Sequence, residues 1–509
     1  MSQSSPKSTR RQFLRSAGGV TFLALSPVGR GLFAAPTPPK STAPLLFTAL
    51  PYIQPGAGSA LIENRETCIV AWQTEQKPAT FELRFSSDKS QGRSARIERT
   101  SRGESNNEDD EGRFNYAATL DGLKLGTRYS YRLVCDGALI MEGYFTTRQP
   151  RGKAIRFVAF GDNSFGDISD RAIAYQAYRA NPDFVMNTGD NVYDGGLDNE
   201  YARYFFPVYN APQAGPRVGA PLLRSVPFYT VIANHDVHRK ANGGPVADFD
   251  KDPDALAYYT NMHLPLNGPL QPAQPTPAVG KDAIVNSFKQ CAGARYPRMA
   301  NYSFDWGDAH FCCLDANVYI DPTDAALQAW IERDLTSTDA TWKFVVYHHP
   351  AFNVGEEHYT EQHMRVLSPL FERCGVVMCL HGHEHNYQRT RPMTFAPRDT
   401  ARAKDINSLN RLVPGTFTID RAFDGRHATK PQGIIYITTG AGGKHLYDRD
   451  QHQNPPKWTH AEDDHADYIA RFISDRHSLT VFELDSESFL MRQIDEAGEE
   501  IERIRVTKV

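Results

Sequence analysis

The 509-residue chain has no apolar run long enough to span a bilayer and almost no excess charge of one sign. Its 56 Lys and Arg stand against 60 Asp and Glu, a net charge of −4. The first absence argues against a transmembrane helix. The second argues against a broad basic surface for nucleic acid. No CxxC spacing occurs among Cys68, Cys135, Cys291, Cys312, Cys313, Cys374 and Cys379, so a zinc–thiolate site is not expected. Seven cysteines cannot pair fully within one chain, and several lie in apolar runs, where cysteine serves as a small buried hydrophobe. A GxSxG nucleophile elbow and a P-loop lysine motif are also missing, so no protein nucleophile of those types is expected.

What is present suits a globular protein: 40% of residues are hydrophobic and 23% charged, and the length allows about two to four domains. Residues 8–14 read STRRQFL, followed by a mildly apolar stretch from Ala17 to Ala35 that Arg30 interrupts. A twin arginine before a weak apolar region marks residues 1–35 as a bacterial twin-arginine export signal. The expected partner is the twin-arginine translocation machinery, and the expected location is periplasmic or secreted. That route carries folded proteins, typically after a metal or cofactor has been loaded.

After a Pro-rich link at 36–44, residues 45–147 read as short alternating strands separated by turns, the pattern of a small β-sandwich. The acidic run Glu108 to Glu111 reads as a solvated loop, and RQPRGK at 148–153 as a linker. From Ile155 the pattern changes. Continuous apolar strands at 155–160, 183–190, 228–236, 310–315, 343–349, 375–383 and 433–440 alternate with helical stretches at 169–180, 323–335 and 360–373. This predicts an α/β domain over 152–509 with its sheet covered on both faces. Residues 264–298, rich in Pro, Gly and Ala, and the polar segment 395–431 read as surface-loop insertions or lids.

The chemistry collects where these strands end. They deliver Gly161-Asp162, Gly189-Asp190 with Tyr193, Asn234-His235-Asp236, His348-His349, and the HGHEH run His381 to His385. Open α/β sheets build their sites beyond the carboxyl ends of strands. A turn, an N-cap or a buried histidine pair explains any one segment, but not all five in this order. Two metals about 3.5–4 Å apart need a bridging carboxylate, which Asp190 can supply. Histidine gives neutral nitrogen to zinc, iron or manganese, Asn234 a neutral oxygen, and Tyr193 a hard anionic donor suited to ferric iron.

The set Gly161-Asp162, GDNVY (189–193), NHD (234–236), VVYH (345–348) and GHEH (382–385) resembles the metallophosphoesterase superfamily. The tyrosine of GDNVY resembles purple acid phosphatases, and residues 45–147 resemble the fibronectin-III-like sandwich that precedes such catalytic domains. The resemblance implies a four-layer αββα catalytic domain and hydrolysis of small phosphate monoesters with a metal-activated hydroxide. It implies that Asp162, Asp190, Tyr193 and His385 hold ferric iron. It implies that Asp190, Asn234, His348 and His383 hold zinc, manganese or ferrous iron. It implies His235 as proton donor and His358 as a substrate contact. Asn163 and Asn191 are weaker phosphate-contact candidates; His349, His381 and Asp315 are expected to have structural or supporting roles. Ser164 and Ala233 stand where the family usually has glycine. Two other readings stay open at this point: a phosphodiesterase or nucleotidase on the same site, and a metal-holding binding module without catalysis.

Overall fold

A computed structural model describes residues 45–508, apart from 63–64, 88–91, 103–111, 238–244, 356, 407 and 448–465. The export-signal reading and the acidic run Glu108 to Glu111 lie outside the described residues.

Residues 47–146 form two four-stranded antiparallel sheets. One has the order 47–54, 66–75, 113–123, 96–100; the other has 93–94, 81–86, 128–135, 138–146. Alternation puts one side chain in two inward, as in Arg128–Cys135, where Tyr129, Tyr131, Leu133 and Cys135 are buried and their neighbours are not. The inward residues of both sheets meet in one core around Trp72, Leu83, Tyr116, Tyr131 and Phe145. Trp72 and Tyr116 stack there with ring centroids 5.2 Å apart. Each such side chain adds roughly 1.5–3 kcal/mol by leaving water.

The larger domain is two sheets packed face to face. The first has the order 228–230, 184–187, 155–160, 478–484, 488–495, 500–507; its first three strands are parallel. The second has the order 302–306, 309–313, 342–346, 378–381, 435–439, 387–390, 469–473, with four parallel strands at its centre. Phe157, Phe184, Phe311, Phe344 and Phe482 interleave between the sheets. Helix Ile168–Arg179 turns Ile173, Ala174 and Ala177 onto the first sheet. Helix Ala325–Ser337, capped by Asp324 accepting the Leu327 N–H at 2.8 Å, turns Trp330, Ile331 and Leu335 onto the second. Helix, sheet, sheet and helix make the four layers expected.

Three expectations need correction. The helical stretch at 360–373 is a 3₁₀ segment, His363–Leu367, followed by a short α-helix, Ser368–Arg373. Pro369 fits the first helical turn, where its missing N–H costs nothing, and so sets the start of the α-helix there. The insertions are not bare loops. Residues 264–298 contain helix Asp282–Ala292, which buries Val285, Phe288, Cys291 and Ala292 and packs Phe288 on Phe249 at 4.9 Å. Residues 395–431 include most of a hairpin, Met393–Pro397 with Gly415–Ile419, whose Phe395 and Phe417 pack on Phe352. Arg411 in the same insertion is buried, donating to the carbonyls of Val318 and Ile320. Part of each insertion is thus packed against the rest of the domain.

The third correction concerns the linker. Arg148 is buried in an ion pair with Glu66 at 2.6 Å and also donates to the carbonyls of Ser59 and Asp305. Gln73 Nε2 donates to Asn261 Oδ1 at 2.6 Å, and Arg113 pairs with Asp198 at 2.8 Å. The sandwich is therefore docked on the larger domain by buried charge, and residues 148–153 are part of that junction.

Candidate dinuclear metal centre

Five parallel strands end on one rim. Asp162 follows strand 155–160, Asp190 follows 184–187, Asn234 and His235 follow 228–230, His348 follows 342–346, and His383 and His385 follow 378–381. The turns that deliver them are tight. Asp162, Asp190 and His383 have φ of 57°, 50° and 70°, a left-handed region that ordinary side chains enter at a cost. Ser164, at φ 61°, accepts the same strain where the family usually has glycine. Its backbone N–H is held by Asp170 Oδ1 at 2.9 Å, and Asp170 also takes the N–H groups of Gly166 and Asp167 at the helix start. Gly382 answers a close approach: a Cβ there would lie 2.5 Å from Asp162 Oδ2 and 2.9 Å from His348 Nδ1.

The side chains converge. Tyr193 Oη lies 3.0 Å from Asp190 Oδ2, 3.2 Å from Asp162 Oδ1 and 3.4 Å from His385 Nε2. His348 Nε2 is 3.4 Å from Asp190 Oδ2 and 4.0 Å from Asp162 Oδ1. His385 Nε2 is 3.6 Å from Asp162 Oδ1. The ligand atoms of Asp162, Asp190 and His348 all lie within 4.8 Å of one another, and all three residues are buried.

This site is short of positive charge. Burial pushes Asp162 up to about 8; the His348 charge opposes that and the Asp190 charge adds to it. Burial pushes Asp190 the same way, but His348 and His235 outweigh it and hold its carboxyl well below the usual range. Burial would lower His348, yet Asp190 and Asp162 lift it to about 9. Burial and the two carboxylates drive the Tyr193 phenol far above its ordinary value. His383 and His385 are pushed down, chiefly by burial, and so are neutral donors. Asn234 Oδ1 and His348 Nε2 are buried with no hydrogen-bond partner. An unmet buried polar atom costs about 1–3 kcal/mol. Cations satisfy the orphan atoms and the surplus carboxylate at once, so the donor set fits a metal pair.

The outer nitrogens agree. His348 Nδ1 faces the Thr188 carbonyl at 2.9 Å and His385 Nδ1 the His445 carbonyl at 3.1 Å, so each ring, when neutral, keeps its proton on Nδ1 and directs Nε2 inward. His383 Nε2 instead meets Glu361 Oε2 at 3.3 Å; with its proton there, Nδ1 would be the nitrogen left for a metal. His235 is fixed by its backbone N–H on Asp190 Oδ1 at 2.9 Å and by Nδ1 on the Asp194 carbonyl at 3.0 Å. His358 packs on the His383 ring, with centroids 3.7 Å apart, and gives Nδ1 to Glu361.

Some sequence candidates turn away. Asn191 spends its amide on Asp236 and Thr230, and Asn163 on Asn187 and Ser164, so neither faces a phosphate. His381 lies behind the rim on the Tyr347 ring at 4.4 Å. Asp315 accepts from Asn317 N and the Tyr319 hydroxyl, a structural role. Sequence reasoning missed Glu361 and the segment after strand 435–439. There Lys444 Nζ lies 4.3 Å from the Tyr193 ring centroid and 3.6 Å from Asp194 Oδ1, and Tyr447 stacks on His385 at 4.8 Å. The glycines of TTGAGGK (438–444), closing a sixth parallel strand, were the available signal.

Comparison with known proteins agrees with the geometry. Residues 155–387 match the calcineurin-like phosphoesterase family. The chain is also similar to acid phosphatases. Purple acid phosphatase 17 of Arabidopsis thaliana is 25% identical over 246 residues, covering 46% of this chain and 63% of its own length. Tartrate-resistant acid phosphatase type 5 of Sus scrofa is 24% identical over 286 residues, covering 50% and 72%. The chain thus spans less than two thirds of the first of these relatives. In fold, the chain is similar to a purple acid phosphatase from yellow lupin (Lupinus luteus) seeds, with TM-score 0.60, 15% identity and coverage of 90% and 74%. It is also similar in fold to PhoD, with TM-score 0.52, 12% identity and coverage of 93% and 94%. Among the described residues, no helix is long and apolar enough to cross a membrane.

Proposed function

We propose that the chain is a dinuclear-metal acid phosphatase acting on small phosphate monoesters. One observation carries this reading: buried, unpartnered His348 Nε2 and Asn234 Oδ1 sit on a rim where the ligand atoms of Asp162, Asp190 and His348 all lie within 4.8 Å of one another. Asp162, Asp190, Tyr193 and His385 would hold ferric iron. Asp190, Asn234, His348 and His383 would hold zinc, manganese or ferrous iron. When bound, the two ions would neutralise phosphoryl charge and lower the pKa of water toward about 7, so that water can act as the nucleophile.

The chain's own residues do the rest. Asp190 takes the His235 backbone N–H and so fixes that residue relative to the carboxylate that would hold both ions. The Asp194 carbonyl holds the Nδ1 proton of His235, which makes Nε2 the atom that delivers a proton to the leaving oxygen. His358, held at Nδ1, would meet the phosphoryl group through Nε2. Lys444 places a cation 4.3 Å from the ring centroid of Tyr193. The twin-arginine segment, residues 1–35, would export the chain folded and metal-loaded to the periplasm or beyond, and residues 45–147 would serve as its fibronectin-III-like companion.

The test is elemental analysis of the full chain exported through its own signal, with rates on p-nitrophenyl phosphate and its diester. About two metals per chain, one of them iron, with monoester turnover in excess, is the expected result. Two metals without iron would remove the tyrosinate assignment. Faster diester turnover would make the enzyme a phosphodiesterase, and no stoichiometric metal would overturn the reading.

A further inference from the structure

Beside the metal rim, a single carboxylate is surrounded by three imidazoles. Glu361 Oε1 lies 3.0 Å from His358 Nδ1. Its Oε2 lies 3.3 Å from His383 Nε2 and 3.5 Å from His349 Nε2. Glu361 and His349 are buried, and the His349 ring lies 4.2 Å from that of His383. The carboxylate is an acceptor at both oxygens, so every imidazole nitrogen that meets it must carry a proton. For His383 this puts the proton on Nε2 and frees Nδ1. For His358 it puts the proton on Nδ1 and leaves Nε2 as the nitrogen that does not meet Glu361.

We infer that Glu361 is a positioning residue that sets the tautomer of His383 for the second metal and the orientation of His358 for substrate. The inference rests on the dinuclear reading above and assigns the site a coupling which that reading lacks: one buried charge serves both metal retention and substrate contact. His349, with no role evident from sequence, closes the third side, its Nε2 3.5 Å from the same Glu361 oxygen that meets His383.

The substitution that exposes this is Glu361→Gln. It keeps the shape but offers one acceptor and one donor end. Whichever side meets the NH₂ group faces an imidazole N–H. If that imidazole is His383, relief comes from moving its proton to Nδ1, the nitrogen the metal needs. Zinc affinity at the second site, measured by chelator competition on iron-loaded full-length protein, should weaken by about 10–100-fold, while iron stays at wild-type content. At saturating zinc, KM for p-nitrophenyl phosphate should rise more than kcat falls. Glu361→Asp, which keeps the two-acceptor group, should recover part of the zinc affinity; it also carries the test if the Gln variant does not fold. Wild-type zinc affinity in both variants would overturn the inference, as would equal loss of iron and zinc, which marks general damage. A third ion in the wild type that vanishes in Glu361→Gln would make the cluster itself a metal site and overturn it too. A wild-type chain without a metal pair would bring down the function reading together with this inference, whereas a normal wild type with insensitive variants brings down this inference alone.

Discussion

At the hairpin 302–313, His310 lies between Asp305 and Asp334; at the strand-end rim, His348 lies between Asp190 and Asp162. Residue types and burial are alike, but closure is not. His310 Nδ1 is 2.7 Å from Asp305 and its Nε2 is 3.0 Å from Asp334, so both nitrogens are engaged. Arg151 adds a second cation 3.0 Å from Asp305. That cluster is complete in itself and holds the hairpin to helix 325–337. On the rim, one nitrogen of His348 is taken by a carbonyl, and the other stands 3.4 and 4.0 Å from its carboxylates without a bond. An Asp–His–Asp pattern becomes a metal candidate when its inner nitrogen is left over, not merely when it is buried.

The largest way to break the comparison is Asp190→Ala. It should release both metals and lower monoester turnover by about 1000-fold or more, because several kcal/mol of charge stabilisation leaves with them. Elemental analysis and kinetics on the purified variant check it, and retained turnover without metal would sink the mechanism. At the closed cluster the effect should be of another kind. His310→Gln leaves two carboxylates with less counter-charge and should cost roughly 3 kcal/mol of stability, with metal content per folded chain unchanged. Denaturant unfolding of the variant reads the first quantity and elemental analysis the second.

A smaller effect sharpens the contrast through pH. Burial alone would depress His310, but Asp305 and Asp334 more than reverse this and lift it to about 9. A pKa raised on folding gives stability that is fully present below the unfolded value of about 6.5 and is lost as pH rises through about 9. The wild-type unfolding midpoint should therefore decline across that window, and His310→Gln should flatten the decline. An unchanged slope in the variant would place the alkaline loss elsewhere.

Much of the fold was legible because continuous apolar strands and helical stretches alternate from Ile155 onward, and because short alternating strands precede them. The rim was legible because the candidate donors follow strand ends, where chain direction alone gathers them. Less legible was anything set by partners distant in sequence. Arg148 reads as part of a polar linker until Glu66 and two carbonyls are seen around it. Asn163 and Asn191 look like phosphate contacts until their amides are found bonded inward. Helix Asp282–Ala292 hides in a Pro- and Gly-rich insertion because only four of its residues face the core.

The sequence by itself determined the donor inventory: two aspartates, a tyrosine, an asparagine and three histidines at the ends of parallel strands, with glycine where a Cβ would strike Asp162. It determined this because local pattern sets strand direction, and direction sets which ends meet. The tertiary structure alone decided which nitrogen of each histidine faces inward, that Glu361 stands behind His383 and His358 together, and that His310 is closed while His348 is open. Those outcomes depend on atoms brought within hydrogen-bond distance from remote parts of the chain, and no spacing in the sequence encodes which acceptor will meet which ring nitrogen.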